Sequence, residues 1–208
     1  MDLLSQLREQ RLLAIVRGTD PQAALRAVLT LVEEGIVLIE VSLTSTDALT
    51  VLRRAVAEVG AAARIGAGTV LSSDQAHAVR DTGASFVVTP GMCPAVREAQ
   101  SLGLPVLAGA YTPSEVIAAA SATAVKLFPA ATGGPGHLKA LRDPFPQLPF
   151  VPVGGIDAQG AADYLRVGAV AVGVGSPLLG DAPSGGDLGR LRDRARALRE
   201  ATRIGEAP

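Results

Sequence analysis

Residues 124–130 read AVKLFPA, an apolar run broken by one lysine and stopped by a proline. The run is short and bounded by turn formers, which suits a strand buried on both faces. Upstream, Thr112-Pro113 opens PSEVIAAAS, a helical pattern with proline at its first position. Before that lies another apolar run, PVLAGA (105–110). Downstream come FVPVGG (150–155) and AVAVGVGS (169–176). Toward the N-terminus the same unit recurs at SFVVTP (85–90), RIGAGTV (64–70), VLIEVSL (37–43) and LLAIVRG (12–18). A repeat of roughly two dozen residues is the signature of successive βα units.

Helix starts and stops fall between these runs. Asp20-Pro21 opens PQAALRAVLTLVEEG, which Gly35 ends; Ser72-Ser73-Asp74 opens DQAHAVRDTG, closed by Gly83; Asp157 opens AQGAADYLRVG. Eight such units predict an α/β fold, a single-domain (β/α)8 TIM barrel over residues 1–208. The alternative, an open doubly wound sheet, is weakened because the first turn, Val16 to Pro21, lacks a G-x-G-x-x-G fingerprint. MDLLSQLREQR reads as a short amphipathic N-terminal helix. LLGDAPSGGD reads as a polar, Gly-rich loop leading to a C-terminal amphipathic helix, LGRLRDRARALREATR, and then a frayed tail.

Composition narrows the function. Only 3% of the residues are aromatic, and the formal net charge is −1 with no basic block, so the footprint of a nucleic-acid binder is missing. No apolar run approaches the roughly 18 residues of a membrane span. One cysteine, Cys93, rules out an intrachain disulfide framework and fits a reducing cytoplasm; with two histidines it makes a structural zinc site improbable. Of the 19 basic residues, 17 are Arg and two are Lys, Lys126 and Lys139. A lysine in such a chain is most easily explained where Arg cannot substitute, because an amine can become a nucleophile and a guanidinium cannot.

In a barrel the chemistry sits at the C-terminal strand ends. Lys126 lies there among apolar neighbours, which disfavour the ammonium form and favour carbonyl attack; its alternative is a buried lysine paired with a carboxylate. Glu40, alone in VLIEVSL, reads as a general base or as the ion-pair partner of Lys126 or Arg17. Arg17 and Thr69 suit a carboxylate, although Arg17 could instead pair with Asp20 and Thr69 could simply be a strand former. Gly154, Gly155, Gly173, Gly175 and Ser176 end the last two strands, where barrels often bind phosphate through backbone amides; tight turns also use glycine. His77 and His137 read as surface or rim residues and Cys93 as incidental.

These segments resemble the KHG/KDPG aldolase family across nearly the whole chain. The resemblance is carried by AIVRG (14–18), LIEVSLTS (38–45), IGAGTVL (65–71), VVTPG (87–91), VKLFPA (125–130), PVGGI (152–156) and VGVGS (172–176). It implies a homotrimer of barrels without metal or cofactor. The family's substrates are 2-keto-3-deoxy-6-phosphogluconate (KDPG), cleaved to pyruvate and glyceraldehyde 3-phosphate, and 4-hydroxy-2-oxoglutarate (KHG), cleaved to pyruvate and glyoxylate. By motif, Lys126 would form the Schiff base and Glu40 would be the general acid/base. Arg17 and Thr69 would bind the pyruvyl carboxylate, and Pro90 and Phe128 would shape the pocket. Gly154, Gly155, Gly175 and Ser176 would hold the phosphate.

Two positions depart from the phosphogluconate branch and mark specificity. Thr44 stands where many of its members carry Arg, and Val153 where they carry Thr. Val at this site resembles the 6-phosphogalactonate branch, whose substrate is the C4 epimer. Two other classes remain: a phosphate-binding isomerase or synthase with no covalent intermediate, and a catalytically silent sugar-phosphate binder.

Overall fold

A computed structural model describes residues 1–203; the tail read as frayed lies outside them. Eight strands alternate with helices: β1 Leu12–Val16, β2 Leu38–Ser42, β3 Arg64–Gly68, β4 Val87–Val88, β5 Val106–Ala110, β6 Ala124–Leu127, β7 Phe150–Pro152 and β8 Val172–Val174. The helices are α1 Leu3–Gln10, α2 Pro21–Glu33, α3 Ala48–Val59, α4 Ser73–Arg80, α5 Pro94–Ser101, α6 Pro113–Ala119, α7 Ala130–Arg142, α8 Ala158–Arg166, α9 Ser176–Leu179 and α10 Leu188–Arg203. Within β1 to β7 each strand pairs in parallel with the next, and β8 pairs with β1. A bridge between Val153 and Gly173, with Val170 N–H donating to Phe150 O (2.9 Å), joins β7 to β8. The sheet therefore closes into a (β/α)8 barrel.

The helix starts are fixed by the side chains that their sequence offered. Asp20 accepts from the amides of Gln22 (2.8 Å) and Ala23 (3.1 Å), satisfying donors that α2 leaves free. Ser72 with Gln75, and Thr112 with Glu115, form reciprocal capping boxes at α4 and α6. The strands are shorter than the apolar runs. In SFVVTP only Val87–Val88 form the strand, although Phe86 O still accepts from Ala67 N–H and Thr89 N–H still donates to Leu107 O (both 3.0 Å). The Gly-rich stretch 178–187 is more ordered than a plain loop. Leu178, Leu179 and Ala182 are buried, and Ala182–Ser184 makes a 3-10 turn packed against β1's end. Gly18 permits that contact: a Cβ there would lie 2.0 Å from the Pro183 carbonyl oxygen.

Inside the barrel, period-two alternation sends every second residue to the axis. Leu13 and Ile15, Leu38, Phe86 and Val88, Leu107, Ala124, Val151, Val153 and Ala171 form one apolar cluster there. Leu3 and Leu7 of α1 join it, so the N-terminal helix plugs the barrel's lower mouth. Where a large side chain crosses the axis, its neighbour is glycine. A Cβ on Gly66 would meet the Phe86 ring at 2.4 Å, and one on Gly173 would meet Val153 Cγ2 at 2.6 Å. A Leu7→Ala substitution removes the fully buried plug residue and is expected to cost about 2–5 kcal/mol, measured by urea unfolding; a loss under about 1 kcal/mol would mean that α1 does not seal the core.

Candidate active site

At the C-terminal ends of the strands a cavity of about 540 Å³ opens. In an eight-membered ring β2 and β6 stand opposite each other. They bring Glu40 (1% exposed) and Lys126 (5% exposed) to its deepest part. No ion pair within 4.0 Å engages either side chain among the described residues. The structural alternative for both, a mutual ion pair, is thus not what holds them. Lys126 Nζ lies 5.3 Å from the Phe128 ring centroid, within cation–π range.

Glu40 is in an unusual state for a carboxylate. Its Oε2 is buried without a hydrogen-bond partner. Its Oε1 reaches to 2.3 Å from where a Cβ on Gly68 would lie, so β3 must have glycine at that point. Burial pushes its pKa above the ordinary 4.5, against the opposing pull of the Lys126 and Arg17 charges.

Arg17 and Thr69 line the cavity from β1's and β3's ends, on either side of Glu40. Arg17 forms no ion pair with Asp20, whose carboxylate is spent capping α2. Thr69 is no ordinary strand residue: its φ is +60°, a conformation that costs a β-branched side chain energy and that clusters at ligand sites. Pro90, Phe128 and Val153 form apolar wall. Gly154, Gly155, Gly175 and Ser176 line the side toward β7 and β8. Gly154 (φ +106°) and Gly155 (φ +72°) need glycine for the turn itself. Their amides and that of Ser176 donate to no backbone carbonyl among the described residues outside regular ladders and helices. Amides gathered at a strand end and a helix start suit an anion.

The cavity also contains residues that strand-end reasoning passed over. Ile15 could have been found by counting two back from Arg17 along the inward face; Leu179 and Gly180 lie in the stretch read as loop, and Pro177 just before it. Tyr164 of α8 acts from behind. Its buried hydroxyl donates to Ala130 O (2.7 Å), while the amides of Ala130 and Ala131 donate to Val153 O (2.8 Å) and Gly154 O (3.0 Å). It thereby ties the ends of β6 and β7 together. Thr44 is the exception among the sequence candidates. It is exposed and outside the cavity lining, its hydroxyl 2.8 Å from Ser42 Oγ. His77 pairs with Glu98 at the surface (3.0 Å), and His137 packs on Tyr111 with its Nε2 2.8 Å from the Tyr111 carbonyl oxygen. Cys93 is partly buried beside Val70 O (3.5 Å). No helix among the described residues is long and apolar enough to cross a membrane.

The family model for KDPG and KHG aldolase matches residues 3–190. The chain belongs to that family. It is an aldolase, and so a carbon–carbon lyase. It is 39% identical over 184 residues to a probable 2-dehydro-3-deoxy-6-phosphogalactonate aldolase of Rhizobium meliloti, covering 86% of this chain and 87% of that one. It is 38% identical over 164 residues to a 2-dehydro-3-deoxy-phosphogluconate aldolase of Pseudomonas aeruginosa, covering 77% and 74%. Among solved structures it matches the KDPG aldolase of Legionella pneumophila with pyruvate captured at low pH as a covalent carbinolamine intermediate. There the TM-score is 0.82 and the identity 25%, over 100% of this chain and 99% of that one.

The raised pKa of Glu40 makes the aldolase's stability depend on pH with a definite sign. Above 4.5 the unfolded chain releases this proton while the folded state keeps it, so stability falls as pH rises. Glu40→Gln removes that titration. The variant is expected to match the parent near pH 4 and to be the more stable of the two by pH 7.5, in urea melts at both. A gap that is constant with pH, or that closes on raising it, would contradict the assignment.

Proposed function

We propose that this aldolase is a class I enzyme that cleaves a 6-phosphorylated 2-keto-3-deoxy sugar acid to pyruvate and glyceraldehyde 3-phosphate through a Schiff base on Lys126. KHG, cleaved to pyruvate and glyoxylate, is the unphosphorylated substrate in the same scheme. The observation that carries the proposal is a buried lysine with no ion pair, across the barrel from one buried carboxylate with an unpartnered oxygen. Neither arrangement stabilises a fold, since an unpaired buried charge or acceptor is costly. Both suit a site that completes itself with substrate.

In this scheme Arg17 and the Thr69 hydroxyl bind the carboxylate of the keto acid. Lys126 Nζ attacks C2, and loss of water leaves a protonated imine. Glu40 accepts the C4 hydroxyl proton and the C3–C4 bond breaks. Its electron pair flows into the iminium, giving the enamine of pyruvate, and the aldehyde departs. Protonation at C3 and addition of water then release pyruvate and restore the amine. Pro90 and Phe128 give the apolar walls that keep Nζ poorly solvated. The backbone amides near Gly154, Gly155, Gly175 and Ser176 receive the distal phosphate. The scheme includes a homotrimer acting in the cytoplasm, in keeping with a single cysteine.

Treatment with borohydride in the presence of pyruvate is expected to leave a stable adduct on Lys126, located by peptide mass spectrometry. An unlabelled protein, or label only on Lys139, would overturn the mechanism. Lys126→Arg keeps the charge and is expected to lower turnover by about 10³-fold or more.

Val153 supports a second reading of specificity, toward the C4 epimer, 2-keto-3-deoxy-6-phosphogalactonate. It is buried in the cavity wall and offers no hydroxyl to the C4 region. The similar identities to a galactonate and a gluconate enzyme favour neither epimer. The ratio of kcat/KM for the two phosphorylated epimers is expected to favour the galactonate form, and Val153→Thr to move it about tenfold toward the gluconate form. A parent enzyme strongly selective for the gluconate epimer would refute this reading of Val153.

A further inference from the structure

The side chain of Ser42, the last residue of β2, is fully buried and takes no part in the scheme above. The β2–β3 register sets Ser42 beside Gly68, one residue before Thr69, and Leu43 N–H donates to Gly68 O (2.8 Å) to lock that end of the pair. Ser42 Oγ is 3.0 Å from Thr69 Oγ1 and 2.8 Å from Thr44 Oγ1, and it accepts a longer bond from the Thr44 amide (3.4 Å). Three hydroxyls thus form a row running from the exposed Thr44, through buried Ser42, to Thr69 on the cavity wall.

A hydroxyl has one proton to give and two lone pairs to receive. If the row ran from Thr69 outward, Thr69 would spend its proton on Ser42 and present only lone pairs to the cavity. Those would repel a carboxylate. If it runs inward, Ser42 gives its proton to Thr69, and the Thr69 proton is left for the ligand. The Thr44 amide can only donate, so it occupies one Ser42 lone pair. The inward order then fills the other with the Thr44 hydroxyl proton and leaves the Ser42 proton for Thr69. Hydroxyl rows polarise along their length, so an anion at the inner end reinforces the same order. Thr69, with its left-handed backbone (φ +60°), keeps its hydroxyl within reach of Ser42 while the residue lines the cavity.

We propose that Ser42 is a positioning residue for the carboxylate subsite. It hands its proton to Thr69 and so holds Thr69 as a donor; the Thr44 hydroxyl donates to Ser42 in this order and is the competing acceptor only in the reversed one. This rests on the proposed binding of the keto-acid carboxylate by Arg17 and Thr69. Thr44 accordingly influences binding from outside the cavity, through the state of Ser42 rather than by contact.

The test is borohydride trapping on the full chain at a series of pyruvate concentrations, with methyl pyruvate as the ester that lacks the charge. Ser42→Ala is expected to raise the half-saturating pyruvate concentration about tenfold, with the limiting trapping rate within about twofold of the parent. Methyl pyruvate is expected to shift no more than about threefold, since hydrogen bonds to a neutral acceptor are weaker. Thr44→Val removes the competing acceptor and keeps the amide. It is expected to act in the opposite direction, tightening pyruvate about twofold as the donor state of Thr69 becomes fully populated. Equal losses for acid and ester in Ser42→Ala would make Ser42 merely structural and overturn the proposal. So would a Thr44→Val variant that weakens pyruvate tenfold, a result readable even if Ser42→Ala does not fold. No adduct in the parent protein would instead remove the Schiff-base reading on which this one stands.

Discussion

The space at the barrel axis can be used only once, and Glu40 takes the place of a side chain at Gly68. That exclusion organises the upper half of the molecule. With β3 bare at this point, the carboxylate can lie across the axis, away from water and with one oxygen unpartnered. Its burial raises its proton affinity against the pull of the Lys126 and Arg17 charges. The lower half obeys the same rule with apolar residues, where Gly66 makes way for the Phe86 ring. One packing principle thus builds a dry base and a chemically uncommitted top on the same eight strands.

Much of this was legible because a parallel barrel makes sequence position and spatial position nearly equivalent. A polar residue near the C-terminal end of any apolar run must come near the axis or the rim. Arg17, Glu40, Thr69, Lys126 and the glycines after β7 therefore converge although they lie far apart in the chain. Thr44 broke the rule because it lies two residues beyond β2, where the chain has begun to turn and period-two alternation no longer holds. Ser42 was hidden for the opposite reason. A serine in an apolar strand is unremarkable until the register shows it beside Thr69. The contribution of 178–187 was masked by composition: its glycines and aspartates suggest a solvated loop, yet Leu178, Leu179 and Ala182 bury, and Leu179 and Gly180 reach the cavity.

Within the site, rigidity is supplied from outside the first ring of residues. Tyr164 reaches from α8 to the start of α7, and the capping of α2 by Asp20 leaves Arg17 without its nearest competitor. The first is a brace, and the second leaves a group unpaired because a neighbour is occupied. Thr69 carries strain of its own in a left-handed backbone (φ +60°).

The plug formed by Leu3 and Leu7 gives the barrel a blind end, so everything that enters must leave by the same mouth. In a passage with one door, what is fastened to the back wall cannot go first. In the proposed scheme a substrate bonded at Lys126 would be severed into a tethered half and a loose half, the loose half being the one nearer the exit. On that scheme the order of departure would be a property of the architecture: aldehyde before pyruvate on cleavage, and pyruvate before aldehyde on entry when the bond is made in reverse.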